Sequence, residues 1–374
     1  MQDLPSIVGG NSMTELQDRI TLLLRPEVRS LSAYHVPDSR GLIKLDAMEN
    51  PYKWPPEIVN LWLERLRVAE PNRYPDPGCG SLKAALMQAN AVPNQSQLLL
   101  GNGSDEVIQI LLMALNPGAT VMAPEPTFVM YRQISQSLGL RFVGVPLRQD
   151  DFSVDIETFC DAVKVHQPAI IFLAYPNNPT GNLFEKAAID RILTVAPGLV
   201  VIDEAYAPYA DASYMSELQR HDHLLVMRTL SKLGLAGLRL GFLAGHPRWI
   251  EELDKLRLPY NINVLTQISA EFALEQHDVF DSQVSRILQQ RQLLKWALDE
   301  ISQIRTYDTR ANFVLIRLLQ QDAGTVFLAL KKAGVLVKNL HPNGGLLNQC
   351  LRITVGTPEE NQRFLEVFRQ TLAA

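Results

Sequence analysis

A lysine, an acid, an arginine and several short polar turns stand in this chain just after apolar runs. Lys232 lies in Arg228-Thr229-Leu230-Ser231-Lys232, and Arg239 follows in Gly237-Leu238-Arg239-Leu240-Gly241. Upstream are Asn177-Asn178-Pro179-Thr180-Gly181 and Asp203-Glu204-Ala205-Tyr206. A lysine amine condenses with an aldehyde to a Schiff base, a carboxylate holds a proton on a pyridine nitrogen, and a guanidinium clamps a phosphate. Each piece alone is weak. Together they are the donor set that pyridoxal 5′-phosphate requires.

Asp203 closes the apolar run Leu199–Ile202, where an unpaired carboxylate would be costly. Opposite a pyridine nitrogen it would keep the ring protonated; the alternative is a turn or capping aspartate. Tyr206 and Asn178 could each hydrogen-bond the ring's 3-oxygen, or be a packed aromatic and an ordinary turn residue. Gly103-Ser104-Asp105 opens a helical stretch, whose first N–H groups and positive end suit a phosphate. For Asp105 the backbone N–H is the expected donor, not the carboxylate. Thr229 and Ser231 can bond the same phosphate, with Arg239 as its cation. Phe128, after Pro126-Thr127, either stacks on the ring or is a core phenylalanine. Arg352 interrupts the apolar stretch Leu351–Val355, so it should meet an anion, either a substrate or a structural partner. Tyr74, in Arg73-Tyr74-Pro75-Asp76, shows no role within its own chain.

These residues need elements that bring them to one place. Leu98–Leu100 reads as a strand ending at Gly101-Asn102-Gly103. Ser104 is expected to cap a helix carrying Val107, Ile108, Ile110, Leu111 and Leu112, which stops at Asn116-Pro117-Gly118. Val121–Ala123 reads as a strand broken by Pro124 and Pro126. Ala169–Ala174, Leu199–Ile202, Leu224–Met227 and Gly241–Ala244 are near-continuous apolar runs, as strands buried on both faces are. Strands alternating with helices imply an α/β fold with a mainly parallel sheet sandwiched by helices. In such sheets ligands bind at the carboxyl ends of the strands, which is where Gly103–Asp105, Asn178, Asp203 and Lys232 fall. Residues 263–300 read as long helices. A strand (Phe313–Ile316), a helix (Thr325–Ala333), a strand (Leu351–Val355) and a helix (Glu359–Leu372) then form a smaller α/β domain. The expected division is 1–50, an arm with a short strand at Leu42–Leu45 that joins the small domain; 51–290, the large domain; and 291–374, the small domain.

At 374 residues the chain can bury a core for two domains. A net charge of −5 without a basic stripe argues against nucleic-acid binding. No run approaches the roughly 18 apolar residues of a membrane helix, and Met1–Ser12 lacks the pattern of a secretory signal. Cys79, Cys160 and Cys350 are odd in number and far apart, so reduced thiols in a cytoplasmic protein are expected. No metal is expected, since His221-x-His223 reads as a turn before a strand. A nicotinamide-binding turn fails, because Gly101-Asn102-Gly103 is followed by Glu106 where a glycine is needed.

The motifs resemble those of fold-type I pyridoxal phosphate aminotransferases, and within them the histidinol-phosphate aminotransferases. The likeness runs over residues 25–370. It is strongest at Leu45–Tyr52, Arg73-Tyr74-Pro75, Arg228–Lys232, Ala236–Arg239 and Leu351–Thr357. The resemblance implies that Lys232 carries the cofactor and shuttles the proton. It implies Asp203 as partner of the ring nitrogen, Asn178 and Tyr206 as partners of the 3-oxygen, and Ser104, Asp105, Thr229, Ser231 and Arg239 as the phosphate cup. Tyr74 would reach the cofactor phosphate of the neighbouring subunit in a homodimer with shared sites. Tyr34 and Arg352 would contact substrate.

The implied reaction exchanges the amine between L-histidinol phosphate and 2-oxoglutarate, or between glutamate and imidazole-acetol phosphate, in histidine biosynthesis. Four positions depart from the pattern. The step from Lys232 to Arg239 is seven residues, one fewer than usual. Phe128 replaces a common tyrosine, Met48 a frequent asparagine, and Lys338 falls near a second substrate-binding arginine of some members. A threonine-phosphate decarboxylase and an aromatic-amino-acid aminotransferase share the same cup. A non-catalytic sensor domain would need a fused DNA-binding module, for which no basic extension is present.

Overall fold

The computed structural model describes residues 13–33 and 37–373. Its twelve strands are β1 (Ile43–Leu45), β2 (Gln97–Gly101), β3 (Thr120–Glu125), β4 (Arg141–Pro146), β5 (Ile170–Ala174), β6 (Leu199–Asp203), β7 (Leu224–Thr229), β8 (Gly241–Gly245), β9 (Ile304–Thr306), β10 (Phe313–Leu318), β11 (Val335–Asn339) and β12 (Cys350–Thr354). A seven-stranded sheet has the order β2-β8-β7-β6-β5-β3-β4, in which β8 runs antiparallel to both neighbours and the other pairs are parallel.

The apolar runs explain why this sheet is covered on both faces. Successive residues of one strand point to opposite sides. Thus Ile171 and Leu173 of β5 join the core under helices Gly80–Ala89 and Lys186–Val195, while Ile170 and Phe172 join the core under helices Ser104–Met113 and Val129–Ser137. Val200 and Ile202 of β6 likewise face one side and Leu199 and Val201 the other. Each such side chain contributes about 1.5–3 kcal/mol on leaving water, before chain entropy is counted.

The second sheet has the order β1-β11-β12-β10-β9, with β1 parallel to β11 and the other pairs antiparallel. Its core joins Leu45 and Met48 to Phe313, Val337, Ile353, Phe364 and Phe368. Helix His277–Asp299 serves both cores, giving Phe280 to the large one and Ile287, Leu294 and Leu298 to the small one. The expected boundary at 290/291 therefore falls inside a continuous helix, which carries no local break in sequence. Because β1 sits in the small sheet, the chain after Leu45 runs from that sheet across the carboxyl ends of the large one.

Two local expectations are corrected. The residue that caps helix Ser104–Met113 is Gly103 (φ +84°), and Ser104 is its first helical residue, without a side-chain cap bond. β3 continues through Pro124 to Glu125. Pairing with β5 is confined to Val121 and Met122, so the missing N–H of Pro124 faces a side where the ladder has already ended.

Candidate active site

The parallel strands β5, β6 and β7 end side by side, and their last residues and following turns wall a cavity of about 380 Å³. β8 starts at the same edge, since Gly241 pairs with both Thr229 and Gly101. Gly241 must lack a side chain, because a Cβ there would lie 2.6 Å from the backbone of Gly103 and Ser104. This close approach brings the turn after β2, the end of β7 and the residues before β8 together. Ser104, Asp105, Phe128, Asn178, Asp203, Tyr206, Thr229, Ser231, Lys232 and Arg239 all line the cavity. Ala47, Met48 and Glu49, from the segment after β1, close it from the opposite side.

Lys232 Nζ donates to the Ala47 carbonyl at 3.0 Å and lies 6.0 Å from the centre of the Tyr206 ring. Burial, helped by the positive charge of Arg352, pulls its amine down from 10.5 to about 8. The Lys232 carbonyl accepts from Tyr209 Oη at 2.6 Å, which fixes the backbone beneath the amine. Asp203 is the last residue of β6 and is buried at 4% exposure. Burial raises its carboxyl to about 6, against hydrogen bonds from Tyr131 Oη (2.6 Å) and the Ala205 N–H (3.1 Å) that favour the ionised form. Tyr206 is buried edge-on against Phe313, and burial pushes its phenol up.

Across the cavity, Thr229 Oγ1 lies 2.9 Å from Ser231 Oγ, accepts the Ser231 N–H at 3.1 Å and lies 3.0 Å from the Leu240 carbonyl. Arg239 Nη1 donates to Ser231 Oγ at 3.4 Å, and Nη2 lies 3.9 Å from Asp105. The short step from Lys232 is accommodated by positive φ at Gly234 (+131°) and Arg239 (+50°). These turn the chain back so that the guanidinium covers Gly103, where a Cβ would stand 2.4 Å from Nη2.

Beside the cavity, the buried Arg352 donates to the lining residue Asn178 at Oδ1 and, at 2.9 Å, to the Asp46 carbonyl. Its guanidinium lies 5.2 Å from the Phe313 ring. Lys338 is directly across the ladder from Arg352; burial and that positive charge lower its amine. Neither Lys338 nor Arg352 is among the lining residues. Tyr74 is 80% exposed and stacks on Tyr260 at 4.4 Å, away from the cavity of its own chain. Tyr34 lies outside the described residues.

Residues 40–368 match the family model for aminotransferase class I and II. A histidinol-phosphate aminotransferase of Nitrosococcus oceani is 54% identical over 354 residues, covering 94% of this chain and 98% of that protein. The chain belongs to this aminotransferase family. Solved structures agree in fold. The histidinol-phosphate aminotransferase of Clostridium acetobutylicum has a TM-score of 0.81 at 21% identity, over 88% of this chain and 99% of that one. The Sinorhizobium meliloti histidinol-phosphate aminotransferase, solved in complex with pyridoxal 5′-phosphate, has a TM-score of 0.79 at 23% identity, over 93% and 98%.

As an aminotransferase of this family the chain depends on pyridoxal 5′-phosphate, and its cavity fits that group. Two hydroxyls, a guanidinium and the N–H groups of a helix start converge on one anion-sized corner, kept open by the missing side chain of Gly103. An amine and a buried carboxylate face the rest of the volume. Three features of the aminotransferase site escape a reading of the sequence. Tyr131 grips Asp203 from 72 positions away. The Ala47 carbonyl holds the lysine from 185 positions away. Arg228, partly exposed, forms an ion pair with the buried Glu204, at 2.7 Å. Only Arg228 carried a signal, as a cation inside an otherwise apolar strand.

Proposed function

We propose that the enzyme transfers the amino group of glutamate to imidazole-acetol phosphate, giving L-histidinol phosphate and 2-oxoglutarate, as a homodimer in the cytoplasm. One observation carries the choice of substrate: a buried guanidinium, Arg352, donates to Asn178, which lines the cavity. A planar fork there suits both the phosphate of one substrate and a carboxylate of the other. The high identity to a full-length relative named for this reaction supports the same reading.

Bound pyridoxal 5′-phosphate supplies an aldehyde for amine exchange and a protonated ring that withdraws electrons from the carbon next to it. The chain's residues do the rest. Thr229, Ser231, Arg239 and the N–H groups of Ser104 and Asp105 would hold the phosphate. Phe128 would pack against the ring, and Asn178 and Tyr206 would serve the 3-oxygen. Asp203 would hold the proton on the ring nitrogen. Lys232 would supply the amine that holds the aldehyde, and that amine would carry the proton between the substrate carbon and the neighbouring position. Its lowered proton affinity suits this, because part of the amine is neutral near physiological pH. Lys338, across the ladder from Arg352, would complete the substrate end.

A homodimer is supported by helix Pro56–Leu66, which buries none of its residues within the chain and exposes Leu61 and Leu63. Val68, Tyr74, Tyr260 and Leu265 are exposed apolar residues as well. Tyr74 would then serve the neighbouring cup.

The test is Lys232→Ala. The variant should retain the cofactor non-covalently and lose turnover of histidinol phosphate with 2-oxoglutarate by at least about a thousandfold. Sustained glutamate production by it would remove Lys232 from this role. Release of carbon dioxide from threonine phosphate by the unaltered enzyme, without transamination of histidinol phosphate, would replace the reaction itself.

A further inference from the structure

One buried polar side chain beside the site has no part in the steps above. Tyr131 lies in the first turn of helix Val129–Ser137 and has no exposure to solvent. Its ring stacks on Phe172 of β5 (4.6 Å, 9°) and meets Phe128 edge-on (5.6 Å, 86°). Its hydroxyl donates to Asp203 Oδ2 at 2.6 Å. Phe128 is the residue that precedes the same helix. One helix start therefore presents both the ring that lines the cavity and the hydroxyl that holds the acid at its floor.

The surroundings of Asp203 give this hydroxyl work to do. Burial and the negative charges of Asp105 and Glu204 all favour the protonated carboxyl. The opposing groups are two donors, Tyr131 Oη on one oxygen and the Ala205 N–H on the other. Burial and the facing carboxylate push the Tyr131 phenol well above its ordinary range, so it remains a donor at every working pH.

We propose that Tyr131 is a positioning residue for transamination: its hydroxyl orients the Asp203 carboxylate and keeps the proton they share on the cofactor's ring nitrogen. The inference rests on Asp203 as the partner of that nitrogen. A donor to the carboxylate stabilises its ionised form. Without it the shared proton moves toward the carboxyl oxygen, and the ring becomes a weaker electron sink. A hydrogen bond to a charged group is worth a little over one pKa unit, so the shift is about tenfold in the position of the proton.

Tyr131→Phe is the informative variant, because it keeps the stack on Phe172 and removes one oxygen. The protein is loaded with pyridoxal 5′-phosphate isotope-labelled at the ring nitrogen, and that nitrogen is followed by NMR beside Asp203→Asn. The expected result is a resonance moved toward the unprotonated position in both variants. With it, Tyr131→Phe should show a kcat for histidinol phosphate about tenfold lower and a KM changed by less than about twofold. If Asp203→Asn moves the resonance and Tyr131→Phe does not, the role of Tyr131 is overturned and that of Asp203 stands. If neither moves it, both are overturned.

Discussion

Arg228 and Glu204 offer the sharpest test of how the strand ends are held. Glu204 directly follows Asp203, and Arg228 directly precedes Thr229. Their side chains meet at 2.9 Å (Nε) and 2.7 Å (Nη2), with Glu204 wholly buried. Arg228 also donates to Asn90 Oδ1 at 3.0 Å and to Ser213 Oγ at 2.9 Å. Replacing Arg228 with methionine keeps most of the volume and leaves a buried carboxylate. Breaking a buried pair in this way costs about 3–5 kcal/mol.

Glu204 would retain the Tyr214 N–H and the Ser213 hydroxyl as donors, which places the expected loss near the lower end, about 3 kcal/mol. Adding Glu204→Gln removes the orphaned charge, so the double variant should recover most of the loss, with a coupling of about 2 kcal/mol. The assay is the urea midpoint of the cofactor-free protein for both single variants and the double, at constant slope. A loss below about 1 kcal/mol for Arg228→Met, with additive effects in the double variant, would refute the claim that the pair ties β6 to β7.

Lys232, lowered from 10.5 to about 8, stabilises the fold through its neutral form. That contribution is full above the unfolded value and is lost as pH falls through about 8, so in the cofactor-free protein at pH 7 the charged amine is a cost. Lys232→Met should therefore raise the cofactor-free Tm at pH 7, and raise it less at pH 10; an equal change at both would contradict the lowered value. The rate at which the protein couples to added pyridoxal 5′-phosphate, read by absorbance, should climb about tenfold per pH unit below 8 and then level off. A climb continuing to pH 10 would contradict it. Gly103→Ala would place a methyl 2.4 Å from Arg239 Nη2 at φ +84°, and should weaken cofactor binding by at least about tenfold in a fluorescence titration. Unchanged affinity would show that Arg239 is not held there to clamp the phosphate.

Much of the site was legible because the chemistry sits where strand patterns stop. The apolar run Leu199–Ile202 ends at an acid, and Leu224–Met227 leads to Thr229, Ser231 and Lys232; buried strands leave polar residues only at their ends. The link from Lys232 to Arg239 was not legible as geometry. Its course depends on Gly234 at φ +131°, packed so that a Cβ would stand 2.9 Å from the Asn50 side chain, a contact made across the chain. Met48 adopts φ +54°, a left-handed conformation that asparagine tolerates better than methionine, which gives a physical reason for the family's frequent residue. Pro124 was misread as a strand breaker because a sequence does not reveal which flank of a strand is unpaired. Tyr131 and the Ala47 carbonyl act through single long-range contacts, for which no local pattern exists.

The central claim is that Lys232 and its cup exchange the amine of histidinol phosphate. The direct measurement is a titration of the cofactor-loaded enzyme with histidinol phosphate alone, following the absorbance of the lysine-linked cofactor, with phenylalanine and threonine phosphate as comparisons. The account predicts a rapid, saturable loss of that absorbance with histidinol phosphate, reversed on adding 2-oxoglutarate, and responses at least about tenfold weaker with the other two. An unchanged spectrum with histidinol phosphate, or a stronger response to either comparison, would contradict it.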